Sequence, residues 1–266
     1  MTVWLTLRAA PSVPLDASCV RPDLFRGLDT GEIERLTVRH GREERPLGDF
    51  FDVAGEKSDD VVVEGDLQRV KHLGAAMEGG RLVIEGSAGM HVAARMSGGS
   101  VRVEGDVDAW AGAEMRGGTL EVRGSAGDSL GGAYAGATRG MTNGVILVHG
   151  RVGDRAGERM RRGTIAIRGD AGRYAGGHMV AGTLVLGGNA GLGTGVGMKR
   201  GTLIVGGKVE LLPTFRLACD YDPPVLPLLL SSLRRRGFSF PFGGKSVRRF
   251  CGDFAELGRG EILQCV

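Results

Sequence analysis

Branched aliphatic residues alternate with other residues in a short segment that recurs through the middle of the chain: Leu82/Ile84, Val101/Val103, Leu120/Val122, Ile146/Val148, Ile165/Ile167, Leu184/Leu186 and Leu203/Val205. Alternation at a period of two marks a strand with one buried face. Each pair lies five and seven residues after a methionine. Those methionines (Met77, Met96, Met115, Met141, Met160, Met179 and Met198) are spaced 19, 19, 26, 19, 19 and 19 residues apart. A glycine follows each methionine at three positions and again at nine, so the strand is bordered by residues free to take the backbone of tight corners.

A 19-residue unit of strands and corners cannot enclose a core by itself, so successive units must stack and bury one another. Stacking short strands in register predicts an all-β fold, a right-handed parallel β-helix (β-solenoid) of about seven to eight coils. At the inter-strand spacing of roughly 4.8 Å, seven coils make a prism on the order of 34 Å long. The methionines become an internal ladder of unbranched side chains filling one vertex. Leucine-rich repeats and calcium-binding nonapeptide repeats need signatures that do not occur here.

Phenylalanine sets the boundaries. Phe25, Phe50, Phe51, Phe215, Phe238, Phe240, Phe242, Phe250 and Phe254 all fall outside the repeats. Aromatic-rich flanks can cover the exposed ends of a stack. The chain divides into an N-terminal flank (1–57), β-helix repeats (58–210) and a C-terminal flank (211–266). In the first flank IERLTVRHG and LGDFFDVAG read as strands. Val61 and Val63, 21 residues ahead of Leu82 and Ile84, read as an irregular first coil. The seven extra residues of the third repeat lie within Ser129–Gly140 and should loop out. The last flank predicts a short helix near 223–236 and an extended tail, ending in GRGEIL, that can fold back along the stack.

The 48 glycines are periodic, which argues for corners over disorder, and a net charge of +3 is too mild to argue for nucleic acid. The most apolar run, VLPLLL, is short and contains proline, so no membrane span is expected. The N-terminus has no secretory signal pattern. Four cysteines (Cys19, Cys219, Cys251, Cys265) lie outside the repeats without a C-x-x-C pair, which suits a reduced, cytoplasmic protein.

In a stack, equal positions of adjacent repeats become neighbours, so a functional site should appear as a column. Thirteen residues after the methionine stand Asp128, Asp154 and Arg173, a pairing of acids that could serve a polysaccharide-cleaving β-helix enzyme. A solvated charge ladder is the commoner explanation of such a pair. The five histidines are expected in different columns, which assembles no metal site. Gly191–Gly197 looks superficially like a phosphate loop, but the repeat register explains its glycines. Six residues after the methionine, Leu147, Ala166, Val185 and Ile204 form an apolar stripe that the C-terminal flank or another subunit must cover, which makes them candidate interface residues. The methionine corner gathers basic residues, among them Arg95, Arg116, Arg139 and Lys199. Within that collection Arg159, Arg161 and Arg162 are the candidate contacts for an acidic ligand.

The repeat M-x-x-G-x-[LIV]-x-[LIV]-x-G-x-x-G, present as MRRGTIAIRGDAG and MRGGTLEVRGSAG, resembles that of the C subunit of formylmethanofuran dehydrogenase. It also resembles the equivalent subunit of the bacterial formyltransferase/hydrolase complex. LGDFFDVAG and RRFCGDFAELGRGEIL look like that family's terminal segments, so the likeness runs from about residue 31 to 266. A related β-helix forms the C-terminal domain of the glutamate synthase large subunit. The resemblance implies a scaffold subunit in one-carbon metabolism, part of an enzyme complex without catalytic residues of its own. Its partners would be an amidohydrolase-like subunit that hydrolyses a formyl amide and a formyltransferase subunit that moves the formyl group from a tetrahydromethanopterin-type carrier. The resemblance implies no cofactor, metal, or cofactor-binding residue in this chain. Arginine-rich composition and the lack of cysteine clusters lean towards the methylotroph-type complex over the molybdenum or tungsten dehydrogenase. Departures are few: Asp108 and Ala93 replace repeat glycines.

Overall fold

The computed structural model describes residues 2–240 and 246–266; Phe242, one of the flank aromatics, lies outside them. The N-terminal flank contributes β1 (Val3–Leu7), β2 (Leu15–Asp16), α1 (Pro22–Phe25), α2 (Thr30–Glu34), β3 (Thr37–His40), β4 (Glu43–Pro46), a 3-10 turn (Leu47–Asp49) and β5 (Phe51–Gly55). The repeats follow as β6 (Asp60–Glu64), β7 (Val70–Lys71), β8 (Arg81–Glu85), β9 (Ser100–Val103), β10 (Thr119–Val122), β11 (Val145–Val148), β12 (Thr164–Ile167), β13 (Thr183–Leu186) and β14 (Thr202–Val205). The C-terminal flank adds β15 (Arg216–Tyr221), α3 (Val225–Arg235), β16 (Val247–Gly252) and β17 (Gly260–Cys265).

Most strands join one 13-stranded sheet in the order β15-β16-β17-β14-β13-β12-β11-β10-β9-β8-β6-β1-β5. From β1 to β17 every neighbour is parallel, and the residues that pair are those predicted from the methionine register. Leu120 pairs with Val101 on one side and Ile146 on the other, and Leu184 pairs with Ile165 and Leu203. Val61 pairs with Leu82. A second parallel ladder runs beside the first as single-residue bridges: Leu67, Ala88, Val107, Ala126, Val152, Ala171, Ala190 and Val209. This column, eleven residues after each methionine, holds only alanine and valine on the seven methionine-bearing rungs. The first coil alone carries a larger residue in this column, Leu67, which is fully buried. Both ladders and the seven methionines face a single apolar interior.

The methionines explain the glycine three residues on. Met77 is fully buried and its Cε reaches into the next repeat, where it lies 2.7 Å from the place a Cβ on Gly99 would occupy. The next rung repeats the contact, with Met96 Cε over Gly118. The motif is therefore one packing unit read across two repeats.

The flanks extend the same sheet. β1 lies parallel to β6 and antiparallel to β5, and β17 lies parallel to β14 and antiparallel to β16. At the C-terminal end Asp253, 2% exposed, accepts the Gly197 N–H at 3.0 Å, a donor that a further repeat would otherwise have met, and the local Ala255 N–H at 2.9 Å. Two expectations for the N-terminal flank need correcting: in LGDFFDVAG the strand starts only at Phe51, after the 3-10 turn Leu47–Asp49, and the other segment departs as well. IERLTVRHG is not all strand, because Ile33 and Glu34 end α2. That helix is fixed by a capping box in which the Asp29 side chain accepts the Glu32 N–H at 2.8 Å, while the Glu32 carboxylate accepts the Asp29 N–H at 2.8 Å.

The apolar stripe is covered from within. Leu147, Ala166, Val185 and Ile204 are at most 2% exposed and pack with Leu226, Leu230 and Leu233 of α3, together with Phe238, Val247 and Leu263. The helix presents those leucines at i, i+4 and i+7, one face of a 3.6-residue period. As an interface with another subunit the four stripe residues are thus corrected: the chain's own flank occupies them. The covering stops where the column turns polar at Glu121. There the His149 ring meets Phe238 edge-on at 4.9 Å, and its Nε2 lies 3.0 Å from Glu121 Oε1.

Candidate functional site

The corner before each methionine is built from left-handed residues at alternate positions. His72, His91, Trp110, Ser129, Arg155 and Tyr174, in equivalent places on successive rungs, have φ between 60° and 68°. Ala76, Arg95, Glu114, Arg159 and His178, four residues further on, have φ between 53° and 58°. Each such non-glycine residue costs on the order of 1 kcal/mol. The cost is offset because their N–H groups reach the adjacent rung: His72 donates to Met90 O, His91 to Ala109 O and Arg95 to Ala113 O, at 3.1, 3.0 and 2.7 Å. Large and charged residues line this strained corner, and strain of this kind concentrates at functional surfaces.

The histidine expectation fails here. His72 and His91 do share a column, since each stands five residues before its methionine, and their rings stack at 4.6 Å with planes 10° apart. His72 Nδ1 lies 3.1 Å from Asp16 Oδ2 on β2, close but poorly aligned for a hydrogen bond. His91 Nδ1 lies 2.9 Å from the hydroxyl of Tyr134. Tyr134 belongs to the Ser129–Gly140 insertion, which therefore does not simply loop away; its ring stacks on Trp110 at 5.0 Å. Asp16, His72, His91 and Tyr134 line a cavity of about 530 Å³ together with Ala75, Ala76, Ala94, Arg21 and Arg95. Among the described residues no group of three or more histidine, cysteine or acidic side chains could hold a metal ion.

The electrostatics keep His91 neutral. Burial lowers its pKa to about 4, helped by neighbouring His72 and Lys71, while the His72 imidazole holds Asp16 down to about 2 against the burial that opposes it. Between pH 6.5 and about 4 the unfolded chain takes up a proton at this histidine and the folded chain does not, so stability falls as pH drops through that window. Half-exposure screens the effect to on the order of 1–2 kcal/mol. His91→Asn, chosen because asparagine tolerates positive φ, is expected to flatten that part of the curve. Denaturant midpoints at pH 4.5 and 7 for both proteins measure it, and parallel curves contradict it.

The acidic pair is employed by the backbone. Asp128 Oδ1 accepts the Asp154 N–H at 2.8 Å, and Asp154 Oδ1 accepts the Arg173 N–H at 2.7 Å. The same backbone donor, with the Arg173 side chain, holds Asp154 below the usual carboxylate range, the opposite of what a general acid requires. A parallel polar column runs ten residues after each methionine. There Asp106 Oδ1 accepts from Ser125 N at 2.7 Å and Asp170 Oδ1 from Asn189 N at 2.6 Å. In the glycine-rich Gly191–Gly197 segment, Gly193 lies under the Tyr174 ring and Gly197 under the His178 ring, while the Thr194 hydroxyl donates to Gly191 O at 2.7 Å. Those glycines make room for side chains.

The three arginines singled out from sequence stand in different surroundings. Arg159 Nε lies 3.9 Å from Glu158 Oε1, Arg161 is half-buried with its Nε lacking an acceptor, and Arg162 is exposed. The residues missed were His72, His91 and Tyr134. The first two carried a signal, their spacing of 19, and the third carried none.

Fold and corner together define a class, a parallel β repeat protein whose ends and one face are closed by its own flanks, leaving a charged corner open. A chain in the crystal structure of the formyltransferase/hydrolase complex (FhcABCD) from Methylorubrum extorquens with methylofuran matches it over 99% of both chains, with a TM-score of 0.92 and 35% identity. Among curated proteins, the C subunit of molybdenum-containing formylmethanofuran dehydrogenase 1 of Methanothermobacter marburgensis is 44% identical over 80 residues, 29% of this chain and 20% of that protein. The C subunit of tungsten-containing formylmethanofuran dehydrogenase 2 of Methanothermobacter wolfeii is 39% identical over 93 residues, 33% of this chain and 34% of that one. The C subunit of the Methylorubrum extorquens formyltransferase/hydrolase complex is 37% identical over 86 residues, 32% of each chain. These matched stretches span only 20% to 34% of the curated relatives' length. No family model matches. The chain belongs to the family of C subunits of formyltransferase/hydrolase complexes and formylmethanofuran dehydrogenases.

Proposed function

We propose that the chain is a right-handed parallel β-helix acting as the non-catalytic scaffold subunit of a formyltransferase/hydrolase complex. The division into cap, repeats and cap at 58 and 210 belongs to this reading. Right-handedness follows the strong preference of parallel crossovers. The complex would transfer a formyl group from a tetrahydromethanopterin-type carrier to a methanofuran-type carrier and hydrolyse it to formate. This chain would position the amidohydrolase-like and formyltransferase subunits. The observation that carries the reading is the end-to-end match to a chain of such a complex. Membership of a molybdenum or tungsten dehydrogenase is the second reading, favoured by the local identities to those C subunits. No helix among the described residues is long and apolar enough to cross a membrane, and a cytoplasmic setting is part of the proposal.

Purification of the tagged chain from its native cell should recover both catalytic subunits, and the chain alone should not release formate from a formylated furan amine. Recovery of a solitary, active chain would overturn the proposal, and recovery of a molybdopterin subunit would favour the second reading. The open basic corner is proposed to meet the acidic tail of the carrier.

A further inference from the structure

The C-terminal flank covers only part of the face it lies on. One column of that face runs Trp4, Val62, Val83, Arg102, Glu121 and Leu147, each paired with the next across the sheet. α3 lies on this column from Leu147 onward, and its cover ends there. On the open half Trp4 is 44% exposed beside Val62 and Val83, a broad apolar ring of the kind that anchors protein interfaces. A neighbouring column is acidic. Glu64 and Glu85 face each other directly, an unfavourable pairing of like charges. The Thr6 hydroxyl donates to Glu64 at 2.7 Å and Arg102 pairs with Glu104, whereas the Glu85 carboxylate has no partner among the described residues.

The missing complement is carried by α3 itself. Its inner side is occupied by the stripe, but its outer side presents Val225 at 55% and Leu228 at 71% exposure, followed by exposed Arg234, Arg235 and Arg236. A helix C-terminus favours a cation, yet three adjacent guanidiniums repel one another, and none of them has a partner among the described residues. The helix runs from the β15 end of the sheet back to β11 and β12, where Phe238 meets His149 and Arg168. It raises that half of the face by about 10 Å, a helix diameter, and leaves the other half low. A second copy, turned end for end about a two-fold axis at Glu121, fits this step. The arginine end of its helix then falls over β9 and β8, beside Glu104 and Glu85. Leu228, about 10 Å further along the helix, falls over Val62 and Trp4. Apolar meets apolar and basic meets acidic in the same order along the stack. The open half measures about 24 Å across its strands by about 16 Å along them, so with the matching helix side each copy buries on the order of 800 Å², the size of a standard specific interface.

We infer that this face joins two copies of the chain, the α3 of each lying on the open half of the other. The inference goes beyond the proposed scaffold role and does not depend on it. Sedimentation equilibrium of the full-length chain over about 1–100 μM tests it, with a reversible doubling of mass expected. Leu228→Arg and Trp4→Ala should each raise the dissociation constant by about tenfold or more. Glu85→Arg and Arg235→Glu should each weaken the dimer by at least about threefold at low salt, and the two together in one chain should restore it, because every interface then holds the exchanged pair. Leu192→Arg, an exposed change at the strained corner, should leave the dimer unchanged. The substituted residues lie on the surface, so the variants are expected to fold, and their melting temperatures verify this. A monomer at every concentration overturns the inference, as does a dimer indifferent to both Leu228→Arg and Trp4→Ala. If Leu228→Arg instead strips another subunit from the native complex while the chain by itself remains monomeric, that subunit is the occupant and the inference fails.

Discussion

Gly99→Ala is expected to destabilise the chain by about 3 kcal/mol or more, an unusual loss for a single methyl group. Two penalties coincide. The residue has φ +77°, where alanine is strained by about 1 kcal/mol. In addition its Cβ would sit 2.5 Å from the carbonyl oxygen of Gly80 and 2.8 Å from Gly79 C, both on the rung beside it. The methionine Cε at 2.7 Å could rotate away. The backbone could not, because Gly80 O accepts the Ser100 N–H at 3.0 Å and belongs to the ladder itself. Gly86→Ala separates the two causes: φ is +100° but nothing lies within 4 Å, so only strain remains, about 1–2 kcal/mol. Denaturant midpoints of both variants give the comparison. Equal losses would mean that stacking distance between rungs plays no part in the glycine pattern.

That pattern also marks how far the residues alone lead. The methionine–glycine pairs, the strand pairs and the polar column recur on every rung, and anything so repeated is legible because stacking turns a sequence interval into a contact. His72 and His91 obey the same rule: their separation of 19 puts them in one stack, contrary to the expectation of separate columns. The path of the insertion was a different matter. Tyr134 meets Trp110 and His91 because of how a non-repeating loop folds back, and no interval in the chain encodes that contact. The apolar stripe was intermediate. Its need for a cover was evident from Leu147, Ala166, Val185 and Ile204, but two covers were open, and only the packing of Leu226, Leu230 and Leu233 decides between them.

Val185→Asp should show how separable that cover is. Val185 is fully buried between the sheet and the C-terminal flank, in an apolar cluster distinct from the interior of the stack. An unpaired carboxylate there costs several kcal/mol unless the site opens to water. The residue points away from the methionine ladder, so opening means lifting α3 while the parallel ladder keeps its inner packing. The arginine run Arg234–Arg236, at the end of α3, should then become an early trypsin site, with cleavage at least about tenfold faster than in the parent chain. Fragments containing β6 to β14 should persist after that cut. Loss of the whole chain in one step, with no early cleavage at 234–236, would instead mean that flank and stack form one cooperative unit. The exposed outer side of α3, where Leu228 is 71% exposed, could then never be presented independently of the rungs beneath it.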